Sequence, residues 1–415
     1  MNVIYLCADP GIPYWGTKGA SIHVREFTTA LREAGHDVTV VMARGGRAPH
    51  AGANDTPIVE IPAEDESFFK PSETADASEA ALLYEARQFQ QNRAAQDVIN
   101  DLLANRPCDV ICERYSLFSI AGLESARWHG VRFALEVNAP LVTEARLHRQ
   151  LIMEPLAKSI ERYLFSKADH VFPVSRTLGE YIHGVAPSAR VTPLPNGVHL
   201  LRFLSAADGS RWRSRWMKDS SNGFLLGFVG SLRPWHGTDL LLEAFRLARN
   251  RCADCRLVIV GDGPGRGAIE QKIQEYKLED WVTLTGAVAH EEIPDILQAI
   301  DVLVAPYPTS EGFYFSPLKI FEYMAAGKPI VASAIGQVVD ILTHGDTAIL
   351  TPPGDAAALS EALSLLRVDP AYRDRLGRRA REVAATQHEW KHRVRQWEEH
   401  LAGTVLQPES VETPS

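Results

Sequence analysis

The sequence predicts an α/β protein of two doubly wound, Rossmann-like domains, and three observations lead there. The chain has 415 residues, more than one hydrophobic core usually supports. Short β-branched runs alternate with amphipathic helical patterns along most of its length, as parallel sheets covered by helices require. The alternation breaks and restarts around Val191 to His199, whose prolines and Asn196-Gly197 turn suit a linker. The domain boundary is therefore expected near residue 200.

In the first half, strands are expected at Val3 to Ala8, Asp37 to Ala43, Pro57 to Pro62, Asp109 to Glu113, Phe133 to Val137 and His170 to Val174. A helix with apolar face Phe27, Ala30, Leu31 and Ala34 joins the first two, and Gly35 suits its end. The second series runs through Phe224 to Val229, Arg256 to Val260, Trp281 to Thr285, Asp301 to Ala305, Pro329 to Ala332 and Ala348 to Leu350. Residues 46 to 80 read as an acidic loop with weak periodicity. A helix is expected from Trp390 to Leu401, followed by a polar tail from 403 to 415 with little to bury. Ligands of such sheets bind beyond the carboxyl ends of the strands.

Composition narrows the class. A hydrophobic fraction of 45% and a charged fraction of 23% are ordinary for soluble domains, and no apolar run approaches the roughly 18 residues of a membrane span. Met1 to Asp9 has no basic region and too short an apolar stretch for a signal peptide, so a cytoplasmic location is expected, including the inner face of the membrane. The net charge of −9 disfavours a nucleic-acid groove. Arg211-Trp-Arg-Ser-Arg-Trp-Met-Lys218 is the local exception, readable as peripheral contact with anionic lipid or as a solvated surface segment. The five cysteines are expected as reduced thiols, because Cys252-Ala-Asp-Cys255 lacks a second pair or histidines at zinc spacing; no metal or cofactor is expected.

The most informative segment is Pro306 to Ala332, a strand end, loop, helix and next strand. Ser316 suits an N-cap and Pro317 the first helical position, leaving the amides of Leu318, Lys319 and Ile320 at a positive helix end that favours phosphate. Lys319 adds a charge. Glu322, about one turn on, can accept two hydrogen bonds from a ribose diol. A capped structural helix satisfies the same residues.

Here the sequence resembles a known family. Pro317-Leu-Lys-Ile-Phe-Glu-Tyr-Met-Ala-Ala-Gly-Lys-Pro-Ile-Val-Ala332 is similar to the donor-binding segment of family 4 glycosyltransferases, which share the GT-B architecture. Further matches follow in order: Gly16 to His23, Glu136 to Pro140, Val174-Ser175, Pro195 to Val198, Gly230 to Gly237, Val260 to Pro264, and Gly286 to Val288. The ordered set spans residue 1 to about 400 and is far more specific than any one glycine motif. It implies residues 1–200 as the acceptor domain, with helix 388–402 packing back on it, and 201–387 as the nucleotide-sugar donor domain.

The resemblance also implies roles. Gly16 and Gly19 would let backbone approach the donor at the first helix, although a glycine turn there is ordinary Rossmann construction too. Gly263 sits in a loop after a strand, where a ligand contact and a tight structural turn make the same demand. The backbone around Ala287 and Val288 would meet the base. Relatives place an Arg and a Lys on the pyrophosphate where this chain has Ser231 and His236, so Arg233 is expected to supply the missing charge and His236 a hydrogen bond or, if its pKa is raised beside phosphate, a charge. Relatives also carry a glutamate eight residues before the ribose-binding one; that position is Tyr314, with Glu311 three residues earlier. Asn138 stands where relatives often have a histidine.

The implied reaction is transfer of a hexose-type sugar from a nucleotide diphosphate sugar, UDP-linked first and GDP-mannose next, to a sugar, lipid-linked or small-molecule acceptor. Retention by front-face displacement would let the leaving diphosphate take the acceptor proton, and the protein's task would be electrostatic, carried by the helix dipole, Arg233 and Lys319, with Glu322 holding the donor ribose beside them. Arg114, at the end of a strand, is expected to meet the acceptor, and a buried salt bridge would use it equally. Two rival readings share the architecture, a sugar-nucleotide epimerase and a non-catalytic nucleotide-binding protein. A serine acyl-transfer enzyme would use Ser316-X-X-Lys319 but lacks its companion motifs.

Overall fold

The computed structural model describes residues 1–48, 56–63, 69–71, 75–204, 208–217, 223–252, 254–310 and 312–403. They form two compact units, Met1–Pro195 with Arg393 onward, and Asn196–His392. Each is built on a six-stranded parallel sheet.

In the first unit the strands are β1 (Asn2–Cys7), β2 (Asp37–Met42), β3 (Ile58–Glu60), β4 (Val110–Arg114), β5 (Arg132–Val137) and β6 (His170–Pro173), in the order β3-β2-β1-β4-β5-β6. β1 is central, with Val3 facing Val38 on one side and Val110 on the other. Val3 to Cys7 are all buried, as expected of a parallel strand covered on both faces. The first helix, Gly19–Glu33, buries Val24, Phe27, Ala30 and Leu31, and Gly35 follows it with φ of +89°. A helix of 29 residues, Ala77–Asn105, is capped by Asp76, which accepts from the amides of Ser78 and Glu79. The helix Trp390–Ala402 supplies Trp397, whose ring meets Phe27 edge-on at 6.2 Å. Glu398 pairs with His36 at 2.8 Å, and Arg132 donates to the Leu401 carbonyl at 3.1 Å.

In the second unit the strands are β7 (Phe224–Val229), β8 (Cys255–Val260), β9 (Val282–Leu284), β10 (Val302–Ala305), β11 (Ile330–Ser333) and β12 (Ile349–Thr351), ordered β12-β11-β10-β7-β8-β9. Strand order therefore reverses direction between β7 and β10, the position where doubly wound sheets bind ligands. The unit starts at Asn196 because that residue and its neighbours are tied inward: Val198 donates to the His388 carbonyl, and Gly197 lies so close to Trp390 that a Cβ would come within 2.9 Å of it.

One expectation is corrected. Cys252 and Cys255 are disulfide-bonded, not free thiols, with Cα atoms 5.5 Å apart, a separation that a disulfide spans. The basic stretch after Ser210 is a helix, Ser210–Met217, that buries Trp212, Trp216 and Met217 and turns Arg213 onto Asp301 at 3.0 Å. Arg211 and Arg215 stay exposed. No described helix is long and apolar enough to cross a membrane.

Candidate functional site

The site of the second unit is built from loops that follow β7, β8 and β9 and from the helix that follows β10. The three loops are laced together by backbone: Gly230 donates to Val260, Leu232 to Asp262 and Gly261 to Gly286, at 2.9 to 3.0 Å. The lacing needs glycine. A Cβ on Gly261 would lie 2.0 Å from the Gly230 carbonyl oxygen, and one on Gly263 would lie 2.7 Å from that of Leu232. The Leu232 backbone therefore accounts for Gly263, without a ligand contact.

Helix Leu318–Ala325 is fixed from below. Ile320, Phe321, Tyr323 and Met324 are buried, and the Tyr323 hydroxyl accepts from the Val229 amide at 2.8 Å, so the helix is locked to the end of β7. Its cap corrects the expectation. Pro317, not Ser316, is the N-cap, and Leu318 is the first helical residue. The Ser316 hydroxyl is taken by the Asn196 amide at 3.0 Å, a partner 120 residues away. The Ile320 amide bonds to the Pro317 carbonyl, which leaves the Leu318 and Lys319 amides without a partner among the described residues.

Lys319 is 8% exposed, and its ammonium has no hydrogen-bond partner among the described residues. It rests 4.1 Å from the Phe228 ring centroid and 5.8 Å from that of Tyr307. Gly230 permits the approach, since a Cβ there would lie 2.6 Å from the Lys319 Nζ. Burial pushes the ammonium down to about 7, against the pull of Glu322. An unpaired buried cation beside open helix amides is an arrangement an anion completes.

His236 neighbours the same two rings, with centroids 6.2 Å from Phe228 and 6.3 Å from Tyr307. Its Nδ1 lies 2.6 Å from the Ser231 carbonyl oxygen, which can only accept, so Nδ1 carries the proton and Nε2 is an acceptor. Burial, then repulsion from Lys319 and Arg233, pushes it down to about 3. Without an anion beside it the ring is thus held toward its neutral form, in which its part at a phosphate is a hydrogen bond. Ser231 is exposed, and Arg233 stacks on Trp235 at 5.4 Å. Val288 is half-buried against the core, and Tyr314 lies on Phe315 at 4.3 Å. Glu311 lies outside the described residues.

Glu322 is one turn along, its side chain 13% exposed. One oxygen, Oε1, accepts from His290 Nε2 at 2.8 Å. His290 was missed in the sequence; its only signal is that it follows the Gly286 to Val288 stretch.

In the first unit the strand ends carry a polar cluster centred on Glu136. His23 approaches its Oε1 at 2.8 Å, Arg114 the same oxygen at 2.9 Å, and Tyr5 donates to Oε2 at 3.1 Å. Asn138 also bonds to it. Burial opposes ionisation of Glu136, but His23 and Arg114 outweigh it and hold the carboxyl at about 2. Arg114 is thus in a buried ion pair, the reading that its strand end shared with an acceptor contact. The Asn138 Oδ1 is buried without a hydrogen-bond partner among the described residues. Gly16 closes a turn onto the Pro13 carbonyl, where a Cβ would press on Ser21, and Gly19 opens the first helix behind Lys18.

Two Rossmann-like parallel sheets, each with polar groups gathered at its carboxyl strand ends, define the GT-B class of glycosyltransferase fold. Two family models match in the corresponding places, "Glycosyltransferase Family 4" over residues 17–202 and "Glycosyl transferases group 1" over 223–369, and the chain belongs to this glycosyltransferase family. Among curated relatives, it is 28% identical to alpha-D-kanosaminyltransferase of Streptomyces kanamyceticus over 61% of this chain and 67% of that one. It is also 28% identical to a GDP-mannose-dependent alpha-(1-6)-phosphatidylinositol monomannoside mannosyltransferase of Mycolicibacterium smegmatis, over 66% of this chain and 76% of that one. The structure of Anabaena HepE in complex with UDP-glucose superposes with a TM-score of 0.72 at 17% identity, covering 97% of this chain and 99% of that chain, a likeness of fold. The protein is an enzyme of the hexosyltransferase type.

Proposed function

We propose that the protein moves a hexose from a nucleoside diphosphate sugar, UDP-linked in preference to GDP-linked, to a hydroxyl acceptor with retention of anomeric configuration. The observation that carries the donor half of this reading is Lys319, an unpartnered buried ammonium beneath Gly230 at an open helix end. A diphosphate there would receive the Leu318 and Lys319 amides, the ammonium, and Arg233 from the loop after β7. Glu322 would take the ribose hydroxyls through the oxygen that His290 leaves open.

In the proposed step the acceptor oxygen bonds to the anomeric carbon as the bond to the diphosphate breaks on the same face. The acceptor proton passes to the departing phosphate oxygen, so no protein base is required. What the residues contribute is charge already in place where the leaving group becomes more negative. Lys319, Arg233 and the helix end fill the role a metal fills in other folds, and metal independence is part of the proposal.

The donor half is tested by calorimetry with UDP and GDP, UDP being expected to bind more tightly; tighter GDP binding reverses the donor preference. The reaction half is tested by proton NMR of the product made from an α-linked donor. An α-linked product is expected, a β-linked one overturns retention, and turnover lost in EDTA and restored by Mg²⁺ overturns metal independence.

A further inference from the structure

The His290 to Glu322 contact links two parts of the donor site that are far apart in sequence. His290 opens the short turn His290–Glu292, two residues after Val288, whose backbone with that of Ala287 the family resemblance sets at the base. Glu322 is on the Leu318 helix, and the two side chains meet at 2.8 Å while only 20% and 13% exposed. A carboxylate only accepts, so Nε2 is the donor and the hydrogen bond fixes Oε1. Oε2 has no partner among the described residues.

The terminal torsion of a glutamate is broad, so an unanchored carboxylate samples many orientations. A carboxylate pinned by one oxygen presents the other in a fixed direction, and the ordering cost is met before a ligand arrives. We infer that His290 is a positioning residue for nucleotide recognition: it holds the Glu322 carboxylate so that Oε2 faces the ribose hydroxyls, and it ties the ribose contact to the loop that meets the base. This rests on the reading of Glu322 as the ribose ligand.

The consequence is selective for ribose. Loss of the anchor should weaken binding of a ribonucleotide and spare a ligand that never uses Glu322 fully. The test is calorimetry on the full chain with UDP or GDP, whichever binds, its 2′-deoxy counterpart, and inorganic pyrophosphate. In the native protein the ribonucleotide is expected to bind about tenfold more tightly than the deoxynucleotide. His290→Ala should reduce that preference to about twofold with pyrophosphate affinity unchanged, and His290→Gln, which keeps a donor, should restore part of it. In a double-mutant cycle, His290→Ala should add no further loss to Glu322→Ala.

Full ribose preference in His290→Ala, with Glu322→Ala still losing it, overturns the positioning role and leaves the ribose reading standing. Equal losses for pyrophosphate and ribonucleotide in His290→Ala point to a merely structural role and also overturn it. Unchanged ribonucleotide affinity in folded Glu322→Ala overturns the ribose reading and this inference together, as does failure of both UDP and GDP to bind.

Discussion

At the carboxyl ends of its strands the first unit closes its charges on one another, and the second leaves one open. Glu136 is 4% exposed and surrounded by His23, Arg114, Tyr5 and Asn138. Lys319 is 8% exposed and, among the described residues, has no hydrogen-bond partner, only nearby aromatic rings and the pull of Glu322. A buried charge that is paired holds strands together, while one left unpaired costs stability and is useful when an opposite charge arrives. The difference separates a structural polar cluster from a binding site, although both sit at the same place in their sheets.

The comparison can be broken most severely at Glu136. Glu136→Ala should destabilise the first unit by about 3 to 5 kcal/mol in denaturant titration, because it strands the Arg114 charge in the interior. The native contribution also has a pH signature. The folded carboxyl, held near 2, lies below its usual value, so its stabilisation is complete above the ordinary carboxylate range and is lost as pH falls toward 2.

Lys319→Met should do the opposite. Nucleoside diphosphate binding should weaken by about 2 to 3 kcal/mol, while melting stays the same or rises because an unpaired buried ammonium is removed. A large fall in melting temperature would mean that Lys319 has a structural partner after all.

Glu113 sharpens the contrast from within the first unit. It is buried with only neutral partners, the Ser119 hydroxyl and the Gly122 amide, and burial outweighs them, pushing it up to about 7. Here the folded state holds the proton more tightly, so stability declines as pH rises from about 4.5 to about 7. Glu113→Gln should gain about 1 to 3 kcal/mol at pH 8 and little at pH 4, measured by denaturant titration at both.

The smallest effect concerns the proton count of donor binding. Lys319 lies near 7 in the protein alone and an adjacent diphosphate raises it, so binding takes up protons above pH 7. Affinity should then fall with rising pH by at most about 1.4 kcal/mol per unit. Calorimetry in buffers of different ionisation enthalpy checks it; buffer-independent heats at pH 8 would show Lys319 charged throughout.

Much of the scaffold was legible because buried parallel strands are apolar from end to end. Phe224 to Val229 is an uninterrupted apolar run, and its observed limits are those expected. The helix Ala77–Asn105 escaped notice because few of its residues are buried, among them Glu85, Ala95 and Ile99, so its pattern carries little period. Lys319 and Glu322 were readable from the helix start and the family motif. Ser316 was misplaced by one position because a distant residue, Asn196, claims its hydroxyl. Arg114 and His290 show the same limit: each is defined by a carboxylate remote in sequence, and no local pattern records that.

The two units differ, finally, in how the chain composes them. The second is continuous from Asn196 to His392, whereas the first needs Trp397, Glu398 and Leu401 to cover Phe27, His36 and Arg132. During synthesis the second unit therefore emerges whole. The domain begun first is finished last, and until its closing helix leaves the ribosome Phe27 waits without its cover.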